Sequence, residues 1–99
     1  MHFNISLSID SLFSMFKKRD RATIIADILK SIRFNPQGRR KTRIMQSANL
    51  STDQMNKYLD LLIRNGYIIV DGYMYKPTSR GLRLLQNLET EYLKLKIRV

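Results

Sequence analysis

Four residues around one short turn constrain this chain more than any others. Leu50, Ser51, Gln54 and Met55 are spaced as a helix start that is fastened twice. Ser51 at the N-cap and Gln54 three residues on fit a capping box, in which each side chain satisfies a backbone N–H that the first turn leaves free. Leu50 before the cap and Met55 after it form the matching hydrophobic staple. A helix therefore follows Ser51, and Met55, Leu59, Leu62 and Ile63 supply its buried stripe. Asn65-Gly66 ends it through a left-handed glycine cap. Just upstream, Thr42 to Ala48 places Ile44, Met45 and Ala48 on one helical face. Two helices meeting across Asn49-Leu50 form a helix-turn-helix.

A hairpin comes next. Tyr67 to Val70 and Tyr73 to Lys76 flank Asp71-Gly72, and a two-residue Asp-Gly spacer between β-rich runs is a strong hairpin signal. Pro77 stops the second strand, and Thr78 caps a last helix running to about Ile97. On the other side, Asp20 caps a helix over Arg21 to Arg33 with the stripe Ile24, Ile25, Ile28, Leu29 and Ile32. Phe34 to Gly38 is a loop, since Pro36 and Gly38 punctuate it, and Arg39 to Lys41 form a basic entry to the next helix. The fold class is mainly α with a small β-hairpin (α+β), a winged helix-turn-helix with a C-terminal dimerisation helix. Residues 20–77 make the winged unit and residues 78–99 the final helix. Residues 1–19 form an arm: Phe3, Ile5, Leu7 and Ile9 alternate as a strand, and Ile9, Leu12, Phe13 and Phe16 continue at helical spacing.

Charge narrows the function classes. Eighteen Lys and Arg stand against eight Asp and Glu, a net charge of +10. Such a balance favours polyanions, nucleic acid before anionic membrane. Residues 17–43 hold ten of the basic residues and two of the acidic ones, whereas residues 44–77 are neutral. Catalysis finds little material. His2 is the one histidine and there is no cysteine, so His-based triads and thiolate zinc sites have no basis. No phosphate loop or metal-ligand spacing occurs. The expectation is a non-enzymatic protein with no cofactor, no metal and no small-molecule substrate. No apolar run is long enough to span a bilayer, and no basic segment precedes the N-terminal apolar stretch as in a secretory signal. The expected location is the cytoplasm, on the nucleoid.

Five segments carry a family resemblance: Lys41-Thr-Arg-Ile-Met45, Ala48-Asn-Leu-Ser51, Tyr58-Leu-Asp-Leu-Leu62, Asn65-Gly-Tyr-Ile68 and Thr78-Ser-Arg-Gly81. Over about Lys18 to Ile97 the chain resembles the small archaeal winged-helix DNA-binding proteins, in particular the ten-kilodalton 10a-type chromatin proteins of Sulfolobus. The resemblance implies duplex DNA binding by the recognition helix and the wing, and dimerisation through an antiparallel coiled coil of the last helix. Residues 1–16 have no counterpart in it, and the last helix is short for a long coiled coil.

The chemistry of individual residues can be weighed beside that resemblance. The second helix of a helix-turn-helix enters the major groove while the first crosses the backbone. Thr52, Gln54, Asn56 and Lys57 are the candidates for base readout, since Asn and Gln pair with adenine edges and Lys with guanine or phosphate. Gln54 cannot serve both the capping box and a base. Arg39, Arg40, Lys41 and Arg43 are the candidates for phosphate contact. Asp71, Gly72, Tyr73 and Lys76 make the wing, with Tyr75 expected in the hairpin core. Leu85, Leu88, Tyr92, Leu95 and Val99 repeat at spacings 3, 4, 3, 4, the pattern of a heptad seam for a homodimer. Leu82 and Leu84 are left to pack on the domain core. The leading reading is a sequence-specific DNA-binding regulator. The alternatives are an architectural protein without sequence preference, a protein-interaction module whose basic face meets an acidic partner, and membrane attachment through Ile9 to Arg19, for which core packing is the simpler account.

Overall fold

The computed structural model describes residues 20–98, with side chains through residue 91. The N-terminal strand and helix expected over residues 3–19 lie outside the described residues, as do the side chains of Tyr92 and Leu95 and the whole of Val99. Helix α1 spans Arg21–Ile32. Asp20 caps it, its Oδ1 accepting the Thr23 N–H at 2.8 Å. That bond holds the Asp20 carboxyl below the usual carboxylate range, so the cap is charged at neutral pH. The stripe Ile24, Ile28, Leu29 and Ile32 is buried, because these positions share one helical face.

The next element was not expected. Arg39–Arg40 form a short strand, β1, rather than only a basic entry. Gly38 makes this pairing possible. Its φ is +86°, and a Cβ placed there would stand 2.8 Å from the Tyr75 carbonyl oxygen. Helix α2 follows over Lys41–Ala48 and helix α3 over Thr52–Arg64. Between them Asn49 takes the left-handed conformation, φ 54°. Its N–H reaches the Gln46 carbonyl and that of Leu50 reaches Met45, so the last carbonyls of α2 are satisfied. Ser51 then opens α3 with the full capping box. Leu50 and Met55, the two arms of the staple, are both buried. At the far end the Gly66 N–H binds the Ile63 carbonyl and the Tyr67 N–H binds Leu62, a Schellman closure. The buried stripe of α3 differs by one residue from expectation. Tyr58 is buried with Met55, Leu59 and Leu62, while Ile63 is exposed.

Strands β2 (Ile68–Asp71) and β3 (Met74–Pro77) form the hairpin, and the antiparallel sheet runs β1-β3-β2. The register corrects the expected turn. Asp71 pairs with Met74, so the two loop residues are Gly72 and Tyr73, not Asp71 and Gly72. Glycine at the first central position with positive φ, followed by a residue without it, is the type II′ arrangement. Pro77 closes the strand from within, paired with Ile68. A proline sits there without loss only where its missing N–H is not needed by the ladder.

Helix α4 spans Ser79–Arg98. Thr78 caps it as expected, its Oγ1 accepting the Gly81 N–H at 2.9 Å and donating to the Gly66 carbonyl at 2.7 Å. Gly81 lies directly against the Tyr67 carbonyl, in a space that no Cβ could share. The core joins all these elements: Ile24, Ile28, Leu29 and Ile32 from α1, Ile44 and Ala48 from α2, Met55, Tyr58, Leu59 and Leu62 from α3, Ile68 from β2, and Leu85 from α4. Of the two leucines expected to anchor the start of α4, Leu84 packs on the core and Leu82 is exposed.

The packing at Gly81 and the cap at Ser51 give a ranked expectation. Ser51→Ala should lower stability by about 1 kcal/mol through loss of the cap. Gly81→Ala, which forces α4 away from Tyr67, should cost more, roughly 1–3 kcal/mol. Urea unfolding of both variants tests the order. Equal midpoints would show that α4 shifts freely at its first turn.

Candidate nucleic-acid interface

The outer face of α3 follows from its buried one. With Met55, Tyr58, Leu59 and Leu62 turned inward, the opposite stripe is Asp53, Lys57, Asp60 and Arg64, all exposed. Asn56 lies beside that stripe and is also exposed, as is Thr52 in the first turn. The stripe alternates in sign, and Arg64 is bound to Asp60 at 3.0 Å. It therefore carries no net charge of its own.

The structure divides the four candidate readers on α3. Thr52, Asn56 and Lys57 stand in solvent. Gln54 does not. Its Oε1 accepts the Ser51 N–H at 3.2 Å, and its own N–H donates to Ser51 Oγ at 3.2 Å. The side chain that fastens the helix is thus withdrawn from base contact. Lys57 Nζ lies 5.9 Å from the centre of the Tyr58 ring, on the flank of α3 that faces the start of α1.

The basic cluster before α2 is likewise divided. Arg39 Nη1 donates to the Ser31 carbonyl of α1 at 3.1 Å, so this guanidinium braces β1 against α1 and leaves the phosphate set. Arg40, at the N-cap position of α2, and Arg43 are exposed, and Lys41 is half-buried. The side chains of these three have no hydrogen-bond or ion-pair partner among the described residues. Arg33 is also spent, on Glu89 at 2.8 Å and over the ring of Phe34.

The wing is electrically neutral. Lys76 Nζ lies 3.0 Å from Asp71 Oδ2, so the expected wing cation and the acid near the tip cancel each other. What the tip offers is Tyr73, 81% exposed, next to Gly72. Tyr75 points the other way and packs against the core, as expected.

The predicted dimer seam meets a correction at its first residue. Leu85 is 1% exposed and belongs to the core of this protomer. Leu88, one turn later, is half-buried. The seam can therefore start no earlier than Leu88. Sequence reasoning also missed Arg21. It lines a shallow cleft with Lys57, Tyr58, Asp60, Leu61 and Arg64, where the first residue of α1 meets the flank of α3. The signal available was its place at the end of the basic run that starts at Lys17. Among the described residues no group of acidic or histidine side chains is placed to hold a metal, and no helix is long and apolar enough to cross a membrane.

A three-helix unit holding a helix-turn-helix, backed by a hairpin and closed by a fourth helix, defines a winged helix protein. The winged helix-turn-helix family profile matches residues 18–96, and the chain belongs to that family. It is 38% identical over 71 residues to the uncharacterized protein MJ0287 of Methanocaldococcus jannaschii, covering 72% of this chain and 71% of that one. It is 35% identical over 72 residues to the uncharacterized protein MJ0290 of the same archaeon, covering 73% of this chain but only 33% of that longer one. Among solved structures it is similar to Sso10a-2, a DNA-binding protein from Sulfolobus solfataricus. The TM-score is 0.65 at 26% identity, covering 81% of this chain and 84% of the other. The sequence motifs and the structural likeness thus point to the same archaeal type.

The capping role of Gln54 predicts how its variants behave. Gln54→Glu keeps an acceptor for the Ser51 N–H and should leave stability almost unchanged, whereas Gln54→Ala should lose on the order of 0.5–1 kcal/mol. Thermal unfolding of the pair checks this. If alanine proves as stable as glutamate, the side chain is free for other work.

Proposed function

We propose that this chain binds double-stranded DNA through α3 and the start of α2, as a homodimeric transcriptional regulator, and that it works by binding rather than by catalysis. The observation that carries the reading is the pairing of two surfaces on one helix-turn-helix. The outer face of α3 is polar and free of net charge, while Arg40, Lys41 and Arg43 at the start of α2 have no partner among the described residues. In this motif the first helix crosses the backbone and the second meets base edges, so cations on α2 and amide or hydroxyl groups on α3 fit their places. The similarity to Sso10a-2, described as a DNA-binding protein, supports the same reading.

Within it, Asn56 is the principal base reader, with Thr52 beside it, and Tyr73 at the wing tip reaches the adjacent backbone or minor groove. A specific observation favours a second reading, an architectural protein with little sequence preference. Gln54 is spent on the cap and Arg64 on Asp60, which leaves few groups able to discriminate bases. One titration separates the two. Arg40→Glu combined with Arg43→Glu should weaken binding to all duplexes and flatten the dependence of log K on log salt by about one unit for each phosphate lost. Asn56→Ala should cost roughly 1–3 kcal/mol on a selected site and little on random duplex. Equal losses on both DNAs would favour the architectural protein. No binding at low salt would end the duplex reading altogether.

Assembly follows the same logic. A winged helix alone covers a short stretch of groove, and a two-fold dimer doubles its contacts on a palindromic site. We place the seam from Leu88 onward, with Tyr92, Leu95 and Val99 at heptad spacing, and assign residues 20–77 to DNA binding and 78–99 chiefly to dimerisation. Sedimentation equilibrium should find a dimer, and Leu88→Glu with Leu95→Glu should yield a folded monomer. A dimer that survives both changes would move the interface to the arm of residues 1–19.

A further inference from the structure

The helix-turn-helix reading leaves the cleft between α1 and α3 without use. It has a volume of about 230 Å³ and is lined by Arg21, Lys57, Tyr58, Asp60, Leu61 and Arg64. Its apolar walls come from Tyr58 and from Leu61, which is 38% exposed. The charges at its rim are unequal. Asp60 and Arg64 hold each other at 3.0 Å. Arg21 has no hydrogen-bond or ion-pair partner among the described residues, and Lys57 has only the Tyr58 ring. Two acids stand near them: Asp20, charged and holding the Thr23 N–H, precedes Arg21, and Asp53 lies one turn before Lys57 on α3.

We infer that Arg21 and Lys57 together bind one backbone phosphate of the duplex, as an anchor separate from Arg40, Lys41 and Arg43. The inference rests on the duplex-binding reading. Its geometry is that of a groove edge. Lys57 and Arg64 belong to the outer stripe of α3, the helix that lies in the groove, and phosphates line both edges of that groove. Arg21 stands on the neighbouring helix, beside that stripe, and the apolar walls behind the two cations lower the local dielectric and strengthen their hold on an anion. The assignment makes Lys57 a positioning contact and not a base reader. An acidic peptide would also meet two cations, but it has no reason to follow the outer stripe of a recognition helix.

The test uses the full chain with Arg21→Gln, Lys57→Gln and the double variant, each first shown by thermal unfolding to fold as the parent does. Binding is measured against salt on a random-sequence duplex and on the tightest duplex from a selection. One shared phosphate per protomer predicts that the double variant flattens the salt slope by about one unit per protomer, about two for a bound dimer, and weakens binding about tenfold per protomer at 0.1 M salt, equally on both DNAs. A parent protein that binds no duplex removes the inference together with the reading beneath it. A parent that binds, with a double variant of parental affinity and slope, overturns the phosphate site alone. A loss confined to the selected duplex also overturns it and makes Lys57 a base reader. A shift of about two units per protomer would show two separate phosphates and refute the shared clamp.

Discussion

The rest of this structure depends on the three residues Asn49, Leu50 and Ser51. Within them one helix must end, another must begin, and the chain must change direction. Each end of a helix leaves four backbone groups unsatisfied, and a turn this short has little else with which to satisfy them. Asn49 in the left-handed conformation closes α2, Ser51 and Gln54 open α3, and Leu50 between them drops into the core. The angle between the two helices is therefore fixed by hydrogen bonds on both sides and by a buried leucine in the middle. Everything proposed for the nucleic-acid face requires that angle, because it sets where the cations of α2 stand relative to the polar face of α3. The same economy explains why Gln54 cannot be spent on recognition.

A basic protein is not basic everywhere that matters. The fold sorts its cations into those already engaged and those left for a partner. Arg33, Arg64 and Lys76 are bound to acids, Arg39 to a carbonyl of α1, and Arg80 lies over the Tyr67 ring. Arg21, Lys30, Arg40, Lys41, Arg43 and Arg83 have no such side-chain partners among the described residues, and four of these six stand at the starts of α1 and α2. Exposed ion pairs contribute little to stability, typically below about 1 kcal/mol. Their larger effect here is to cancel charge on the wing and on the outer stripe of α3. Free cations thus stand at the start of α2, next to α3, whose own outer face presents hydrogen-bonding groups with no strong field of its own.

What could be read from the sequence was what is local. Caps, staples and the Schellman end depend on residues within a few positions of one another, so Asp20, Ser51, Gln54, Asn65-Gly66 and Thr78 announce their roles directly. The misreadings share the opposite cause. Strand β1 is two arginines with no β pattern, and it exists because Gly38 lets the chain approach Tyr75, some forty residues away. In the hairpin, Asp71-Gly72 and Gly72-Tyr73 are both acceptable turns, and the structure takes the second, with Asp71 paired to Met74. Arg39 looked like its neighbours because only the packing of β1 on α1 brings the Ser31 carbonyl within its reach. The cleft at Arg21 joins residues on two helices, a juxtaposition that no spacing along the chain encodes.

Leu85 shows where local periodicity becomes ambiguous, and why the ambiguity has a physical meaning. A heptad seam and a core-facing stripe differ by a tenth of a residue per turn, so over one or two turns they select the same positions. Helix α4 uses both. Its first turns are held to the domain by Gly81 against Tyr67, by Leu84 and Leu85 on the core, and by Glu89 on Arg33. The helix then continues to Arg98, about nine residues or roughly 13 Å past Glu89 at 1.5 Å each. An isolated helical segment of this length is marginal in water, since most helical stability comes from packing an apolar face. The sequence keeps supplying leucine and tyrosine at heptad spacing over this stretch, at Tyr92 and Leu95. A second copy of the same helix is the partner that would meet that stripe in register. On this account one helix serves two cores in succession, its protomer's through Leu85 and the proposed dimer's from Leu88 onward.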